Sequence, residues 1–150
     1  MEAKTEIIKP LSLGERLELE GHGYRVASAI AFVLYKEFEA EQVILFGSMR
    51  DCEFLSRDSD IDLALVGGSP ERVGWGDSRG LFAAVNLAER VAAYCHEVYS
   101  LPLFEIDLLL WSVMKPRMQR QIRKGTVLGA KSFIGSRFVE DRLLATVSSV

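Results

Sequence analysis

The chain has 150 residues, of which 49% are hydrophobic and 26% charged, and its net charge is −3. This composition excludes an intrinsically disordered chain, a collagen and a coiled coil, whose compositions are far more biased. The longest apolar run, Ala29–Tyr35, is too short for a membrane-spanning helix, and the N-terminus is too charged for a signal peptide. Two cysteines, Cys52 and Cys95, form no CxxC pair. We therefore expect a cytoplasmic protein with one domain over residues 1–150.

The charges are unevenly distributed along the chain. Residues 1–114 contain ten Lys and Arg against nineteen Asp and Glu, a net charge of −9. Residues 115–150 contain eight against two, a net charge of +6. Such asymmetry is typical of a tail that binds a polyanion, but also of a helix with a basic solvated face. Composition alone favours the solvated helix.

The first third of the chain is predicted to contain two helices and a strand. Residues 2–20 read as a short polar helix, which Gly21 and Gly23 separate from the next element. Val26–Phe38 has apolar residues at helical spacing and predicts an amphipathic helix. Gln42–Phe46 is a short run rich in β-forming residues and predicts a strand.

The remaining elements alternate between strands and helices. Asp60–Val66 and Phe104–Leu110 predict two further strands, with a long helix over residues 79–98 between them. Pro116 suits the first turn of a short basic helix that ends at Gly125 as a C′ glycine, and residues 139–147 predict a last helix. The order predicts an α/β (α+β) fold, a small mixed β-sheet with helices packed on it.

Three acidic residues lie in or beside the predicted strands. Asp60 and Asp62 are two residues apart, so their side chains project from the same side of a strand. Asp107 lies in a later apolar strand, where an ionisable group is costly unless it is paired or bound to metal. Glu105 shares the face of Asp107, so either acid can be the third of the set. Carboxylates held together repel one another, which favours a site for one or two divalent metal ions.

Gly47 and Ser48 follow the first predicted strand. A glycine at a strand end lets the backbone approach a ligand closely, and free amides there hold phosphate oxygens. The serine hydroxyl adds a hydrogen-bonding group. In isolation a Gly-Ser pair is more often only a turn, and a lone Asp-x-Asp is more often a solvent-facing pair on an edge strand. The combination of these features predicts a phosphate and metal site.

These motifs resemble the DNA polymerase β-like nucleotidyltransferase superfamily. The signature of that superfamily is a hydrophobic-Gly-Ser run, then Asp-x-Asp between apolar positions, then an acid in an apolar strand. The matching segments are Phe46-Gly-Ser48, Ser59-Asp-Ile-Asp-Leu63 and Ile106-Asp-Leu108. The short chain is similar to the minimal (MNT-type) branch, which pairs with HEPN proteins in toxin–antitoxin systems. The resemblance covers about residues 26–125, a core flanked by N- and C-terminal helical extensions, and includes the closing Gln121-Ile-Arg-Lys-Gly125.

The resemblance implies transfer of a nucleoside monophosphate, usually AMP from ATP, to an acceptor hydroxyl with release of pyrophosphate. It implies that Asp60 and Asp62 bind Mg²⁺ and the triphosphate. It implies that Asp107, preferred over Glu105 because it lies within the strand, completes a two-metal site and helps to deprotonate the acceptor.

The resemblance also assigns a nucleotide-binding role to three residues. Gly47 and Ser48 would hold the β- and γ-phosphates. Arg50 would meet the triphosphate, with Arg57 as the alternative cation.

The resemblance further implies a HEPN-type protein partner as the acceptor, with the chain acting as an antitoxin, and it allows a homo-oligomer. A small-molecule acceptor or an RNA 3′ end is the second hypothesis, and the basic C-terminal segment keeps RNA in consideration. The third hypothesis is a module that neutralises its partner by binding alone, without catalysis. A membrane partner is not expected.

Overall fold

The computed structural model describes residues 10–47, 55–56, 59–73 and 79–129 of the chain. The described helices are α1 (Leu13–Glu37), α2 (Ser69–Val73), α3 (Arg79–Tyr99) and α4 (Pro116–Ile122). The described strands are β1 (Gln42–Phe46), β2 (Ile61–Val66), β3 (Ile106–Leu110) and β4 (Thr126–Leu128), and one 3₁₀ turn covers Trp111–Val113. In this part of the chain, no helix combines the length and the hydropathy that crossing a membrane requires.

The four strands form one open mixed sheet in the order β3-β2-β1-β4. Strand β1 lies antiparallel to both β2 and β4, whereas β2 and β3 are parallel. Helix α3 lies between β2 and β3 along the chain, because parallel neighbours need a crossover connection. The predicted α/β class, a small mixed sheet with helices packed on it, is confirmed.

The side chains of β2 alternate between two apolar layers. Ile61, Leu63 and Leu65 face the main core, which α1 and α3 cover. Ala64 faces the opposite side, where it packs with Ile44 of β1 and Ile122 of α4. This alternation follows from the two-residue period of a strand. It places Asp62 on the side of Ala64, away from the main core.

The break predicted at Gly21 and Gly23 is wrong. Helix α1 runs without interruption through both glycines. Its N-terminus is stabilised by a capping box, in which the Ser12 hydroxyl accepts from the Glu15 amide and the Glu15 carboxylate accepts from the Ser12 amide. Each glycine costs a helix only about 1 kcal/mol, and the packing of the later turns outweighs that cost.

The amphipathic character predicted for residues 26–38 is also wrong over most of its length. Every residue from Val26 to Leu34 is buried, so this stretch has no solvated face. The buried polar residue of the stretch, Ser28, donates its hydroxyl to the carbonyl of Arg25 at 3.0 Å. Apolar periodicity alone does not reveal burial on all sides of a helix.

Two side chains join separate parts of the fold. The Tyr35 hydroxyl donates to the Leu128 carbonyl at 2.7 Å and accepts from the Val43 amide at 3.0 Å, so that it links α1 to β1 and β4. The Glu71 carboxylate of α2 accepts from the Ser112 amide at 2.6 Å and from the Gly67 amide. It therefore connects the turns that follow β3 and β2.

The region after residue 115 differs from its prediction. Helix α4 has Pro116 in its first turn, as predicted, but it ends at Ile122, and the strand β4 that follows was not predicted. Gly125 has no positive φ and is not a left-handed C′ residue. Its backbone passes close to β1, and a Cβ there would lie 2.5 Å from the Leu45 carbonyl oxygen. A glycine is required here because the backbone of residue 125 lies so close to β1, and not because it caps the helix.

Candidate functional site

Asp62 and Asp107 lie opposite each other on neighbouring parallel strands. Each is the second residue of its strand, and the register of β2 and β3 pairs their Cα atoms. Residues that are paired in this way point to the same face of a sheet. On its other side, Asp62 is paired with Phe46, the last residue of β1. The tertiary structure thus brings together two of the three predicted acids.

Asp60 and Glu105 lie just outside the strands. The predicted strands began at Asp60 and Phe104, whereas β2 begins at Ile61 and β3 at Ile106. The Ile61 amide donates to the Glu105 carbonyl at 2.9 Å, so the two chain segments remain adjacent at this point. Asp60 is half-buried, and Glu105 is exposed.

The carboxyl group of Asp62 lies in an unfavourable environment for its charged form. Its pKa is raised from 3.8 to about 6, first by burial and then by the negative charges of Asp107 and Asp60. The acids that act on Asp62 are therefore the other two of the predicted set, and Glu105 is not among them. This favours Asp107 over Glu105 as the third acid.

Gly47 brings the end of β1 against Asp62. A Cβ atom at residue 47 would overlap the Asp62 carboxylate. Gly47 also has a φ of +74°, a conformation that other residues adopt at a cost. The sequence predicts a close approach of this backbone to a ligand, and that stays a prediction; the group that Gly47 approaches in the structure is Asp62, an acid of the same candidate site. The other proposed nucleotide-binding residues, Ser48 and Arg50, and the alternative Arg57 lie outside the described residues.

The donor types at this site fit Mg²⁺. Carboxylate oxygens are the ligands that Mg²⁺ prefers, and a cation would relieve the repulsion that raises the pKa of Asp62. Within the described residues, no group of three or more His, Cys, Asp and Glu side chains is arranged to hold a metal ion. The acids are close enough to interact electrostatically, but they do not form a ready-made ligand cluster.

The described part of the basic segment contains α4 and β4, and Ile122 of α4 packs against the sheet. Lys115, Arg117, Arg120 and Lys124 are exposed on or beside α4, as the solvated-helix interpretation predicts. The guanidinium carbon of Arg123 lies 5.2 Å from the centroid of the Trp111 ring, a cation–π contact. No local sequence pattern predicts this contact, because Arg123 and Trp111 lie in different elements of the chain.

The two histidines of the chain each contact a neighbouring residue. His22 lies in α1 with its Nε2 atom 3.5 Å from Glu18, and the Nδ1 atom of His96 lies 2.8 Å from the Leu101 carbonyl oxygen. Cys95 is buried in the core, and burial raises the pKa of its thiol to about 12. Cys52 lies outside the described residues.

No protein-family model matches the chain, and no curated protein matches it. What the site does is therefore inferred from its own residues.

Proposed function

We propose that this protein is a Mg²⁺-dependent nucleotidyltransferase, which transfers AMP from ATP to an acceptor hydroxyl on a HEPN-type partner protein. One observation carries the proposal: Asp62 and Asp107 are paired on parallel strands, and the backbone of Gly47 lies against the Asp62 carboxylate. This places an acidic pair beside a glycine turn at one end of the sheet. The arrangement suits a ligand that contains both phosphate and a divalent cation.

The chemistry needs positioning and charge neutralisation more than a covalent intermediate. The acceptor oxygen forms a bond to the α-phosphorus of ATP, and the bond from that phosphorus to the oxygen bridging the β-phosphate breaks. Pyrophosphate leaves with the bonding electrons. Bound Mg²⁺ would supply neutralisation of the phosphate charge.

Each acid has a distinct part in this reaction. Asp60 and Asp62 would hold the cation that accompanies the triphosphate. Asp107 accepts the proton from the acceptor hydroxyl, because it is the more exposed member of the pair and lies on the edge strand β3. Gly47 leaves room for the Asp62 carboxylate against the turn, because a Cβ atom at residue 47 would overlap that carboxylate.

The decisive experiment compares ATP labelled at the α-phosphorus with ATP labelled at the γ-phosphorus. The full chain is incubated with Mg²⁺, labelled ATP and the protein encoded by the adjacent gene. We expect the partner to be labelled from the α position and not from the γ position. Labelling from the γ position would indicate a kinase and overturn the proposal.

Matched variants test the assignment of the acids. Asp62→Asn and Asp107→Asn each remove one charge without a change of size, and we expect a loss of about 100-fold or more in the transfer rate. Glu105→Gln is the matched control and should transfer at close to the wild-type rate. Equal labelling by wild type and Asp62→Asn would place the reaction elsewhere. A larger loss for Glu105→Gln than for Asp107→Asn would make Glu105 the third acid.

The same assay distinguishes the acceptor classes. An RNA oligonucleotide with a free 3′-hydroxyl and an aminoglycoside are included as alternative acceptors. Label on either of them, but not on the partner protein, would support nucleotidyl transfer and contradict a protein acceptor.

Calorimetry with ATP and Mg²⁺ tests the alternative that the chain binds its partner without catalysis. Tight binding of the partner without binding of the nucleotide would overturn the enzymatic proposal.

A further inference from the structure

Strand β3 has a free edge on the side away from β2. It is the terminal strand of the sheet, and no strand in the described ranges pairs with its outer side. The Glu105 carbonyl accepts from Ile61 of β2. Because backbone groups alternate in direction along a strand, the amide and carbonyl groups of Ile106 and Leu108 therefore point outward. An apolar edge of this kind is a template for another strand.

A groove of about 480 Å³ runs along this edge. Its floor is formed by Leu108, Leu109 and Leu110, while Leu81 of α3 and Met118 of α4 contribute to its walls. The walls thus come from elements on both sides of the sheet. Met118 is 45% exposed, so the apolar surface is not covered by any described residue at that point. The groove can accommodate a strand whose side chains alternate between the two walls.

The two ends of the edge have opposite charge. Glu105 and Asp107, both exposed, lie at the beginning of β3. Lys115 and Arg117 line the groove beyond the end of the strand, and both are exposed. In the described part of the chain, neither cation forms an ion pair. The edge is therefore acidic at one end, apolar in the middle and basic at the other end.

We propose that β3 pairs antiparallel with β3 of a second copy of this chain, about a two-fold axis at Leu108, so that the acidic end of each copy meets the basic end of the other. The outward amide and carbonyl of Leu108 then pair with those of its symmetry mate. Asp107 comes opposite Leu109 of the second copy, on the face of the sheet against which α4 packs. Opposed residues of such a pair have Cβ atoms about 5 Å apart.

A second copy fits this edge better than an unrelated peptide, because the edge is complementary to itself. In an isologous interface both subunits use the same patch, so the charges of that patch must be complementary to those of its own copy. The antiparallel orientation achieves this, whereas a parallel pair would bring like charges together. The inference goes beyond nucleotidyl transfer and does not depend on it. Where it meets the proposed function, Lys115 and Arg117 of each copy would lie towards the acidic end of the other copy's β3 strand, the end that contains Asp107.

The test is a charge exchange in the full chain, read out by sedimentation velocity. One variant carries Lys115→Glu with Arg117→Glu, and the other carries Glu105→Lys with Asp107→Lys. The wild type is expected to sediment at twice the chain mass of 16.8 kDa. Each variant alone should dimerise roughly 100-fold more weakly, because it places like charges opposite one another. An equimolar mixture of the two variants should restore a dimer, since every opposed pair then has opposite charge.

The control has the same change of charge outside the groove. Arg120→Glu with Lys124→Glu alters the same region, but neither residue lines the groove, and this variant should remain a dimer.

Hydrogen exchange locates the contact: the amides of Ile106 and Leu108 should exchange slowly in the wild type and faster in each variant alone. The proposal is overturned if the wild type stays monomeric over a roughly 100-fold range of protein concentration. It is also overturned by a dimer that resists both charge variants, or by slow exchange at Leu108 in a monomer, which would mean that another part of the same chain covers the edge.

Discussion

Gly47 lies directly against Asp62, so that a Cβ atom at residue 47 would overlap the Oδ2 atom of the Asp62 carboxylate. The two residues are distant in the sequence: Gly47 directly follows β1, and Asp62 is the second residue of β2. The positive φ of Gly47 adds a second reason why only glycine fits. Gly47 and the Asp62 carboxylate are therefore in direct contact, and a larger residue at position 47 would displace the carboxylate.

Replacing Gly47 with alanine should disturb both stability and transfer. We expect Gly47→Ala to lower the free energy of unfolding by about 1–3 kcal/mol, because of its strained backbone. Displacement of the Asp62 carboxylate should reduce the transfer rate by about 100-fold. Urea unfolding and the α-labelled ATP assay measure the two effects.

The control for that change is Gly21→Ala. Gly21 is exposed in α1, and a Cβ there meets nothing within 4 Å. Alanine should raise the free energy of unfolding by about 0.5–1 kcal/mol through its helix propensity and leave transfer unchanged. If Gly47→Ala behaved like Gly21→Ala, the contact with Asp62 would have no functional importance.

The pKa of Asp62 predicts a dependence of stability on pH. In the folded state the pKa is about 6, above the value of 3.8 for a free carboxyl. Between these pH values the folded protein holds a proton that the unfolded chain has lost. The free energy of unfolding therefore falls as the pH rises from about 4 to about 6, and the loss persists at neutral pH. Because Asp62 is only half-buried, screening by solvent limits the effect to about 1 kcal/mol.

Asp62→Asn isolates this contribution. Without metal, the variant should be more stable than the wild type by about 1 kcal/mol at pH 7, and the difference should disappear near pH 4. Urea unfolding in the presence of a chelator, at a series of pH values, measures it. Glu105→Gln, which removes a charge that does not act on Asp62, should show no such trend. A wild type and an Asp62→Asn variant with parallel pH profiles would contradict the prediction.

Mg²⁺ should reverse the destabilisation at neutral pH. A cation between the carboxylates favours their charged forms and binds only the folded state. At ten times its dissociation constant, such a ligand stabilises by about 1.4 kcal/mol, which raises the melting temperature by roughly 3–6 °C in a chain of this size. We expect this rise in the wild type and its loss in Asp62→Asn. KCl at the same ionic strength is the control, and an equal rise with KCl would argue against a specific Mg²⁺ site.

The Tyr35 hydroxyl should be important for attaching α1 to the sheet. Tyr35→Phe removes the donor to Leu128 and the acceptor for the Val43 amide. We expect a loss of about 1–3 kcal/mol in the free energy of unfolding, because two part-buried backbone groups lose their partner. Tyr94→Phe is the matched control, since the Tyr94 ring packs edge-on against Tyr99 and its hydroxyl bonds to no described residue. Equal losses for the two variants would show that Tyr35 contributes only through its ring.

Local patterns predicted most of the regular structure. The bounds of β1 were predicted without error, and the prediction for α3 differs from the structure by one residue at its end. Both elements have the apolar period of their own structure and polar or glycine residues at their ends. The predictions failed where tertiary contacts decide. Helix α1 continues through Gly21 and Gly23 because its later turns are buried, and β4 forms because three residues after α4 pair with β1.

The sequence by itself determined which residues are candidates for the site and their order along the chain. The alternation of β2 fixed that Asp62 points away from the leucines of the core, because a strand has a period of two. The tertiary structure decided which of these residues meet. The parallel register of β2 and β3 places Asp107 opposite Asp62, and the antiparallel register of β1 and β2 places Gly47 against the same carboxylate. Register depends on the packing of whole strands and their crossover helix, so no local pattern in the chain specifies it.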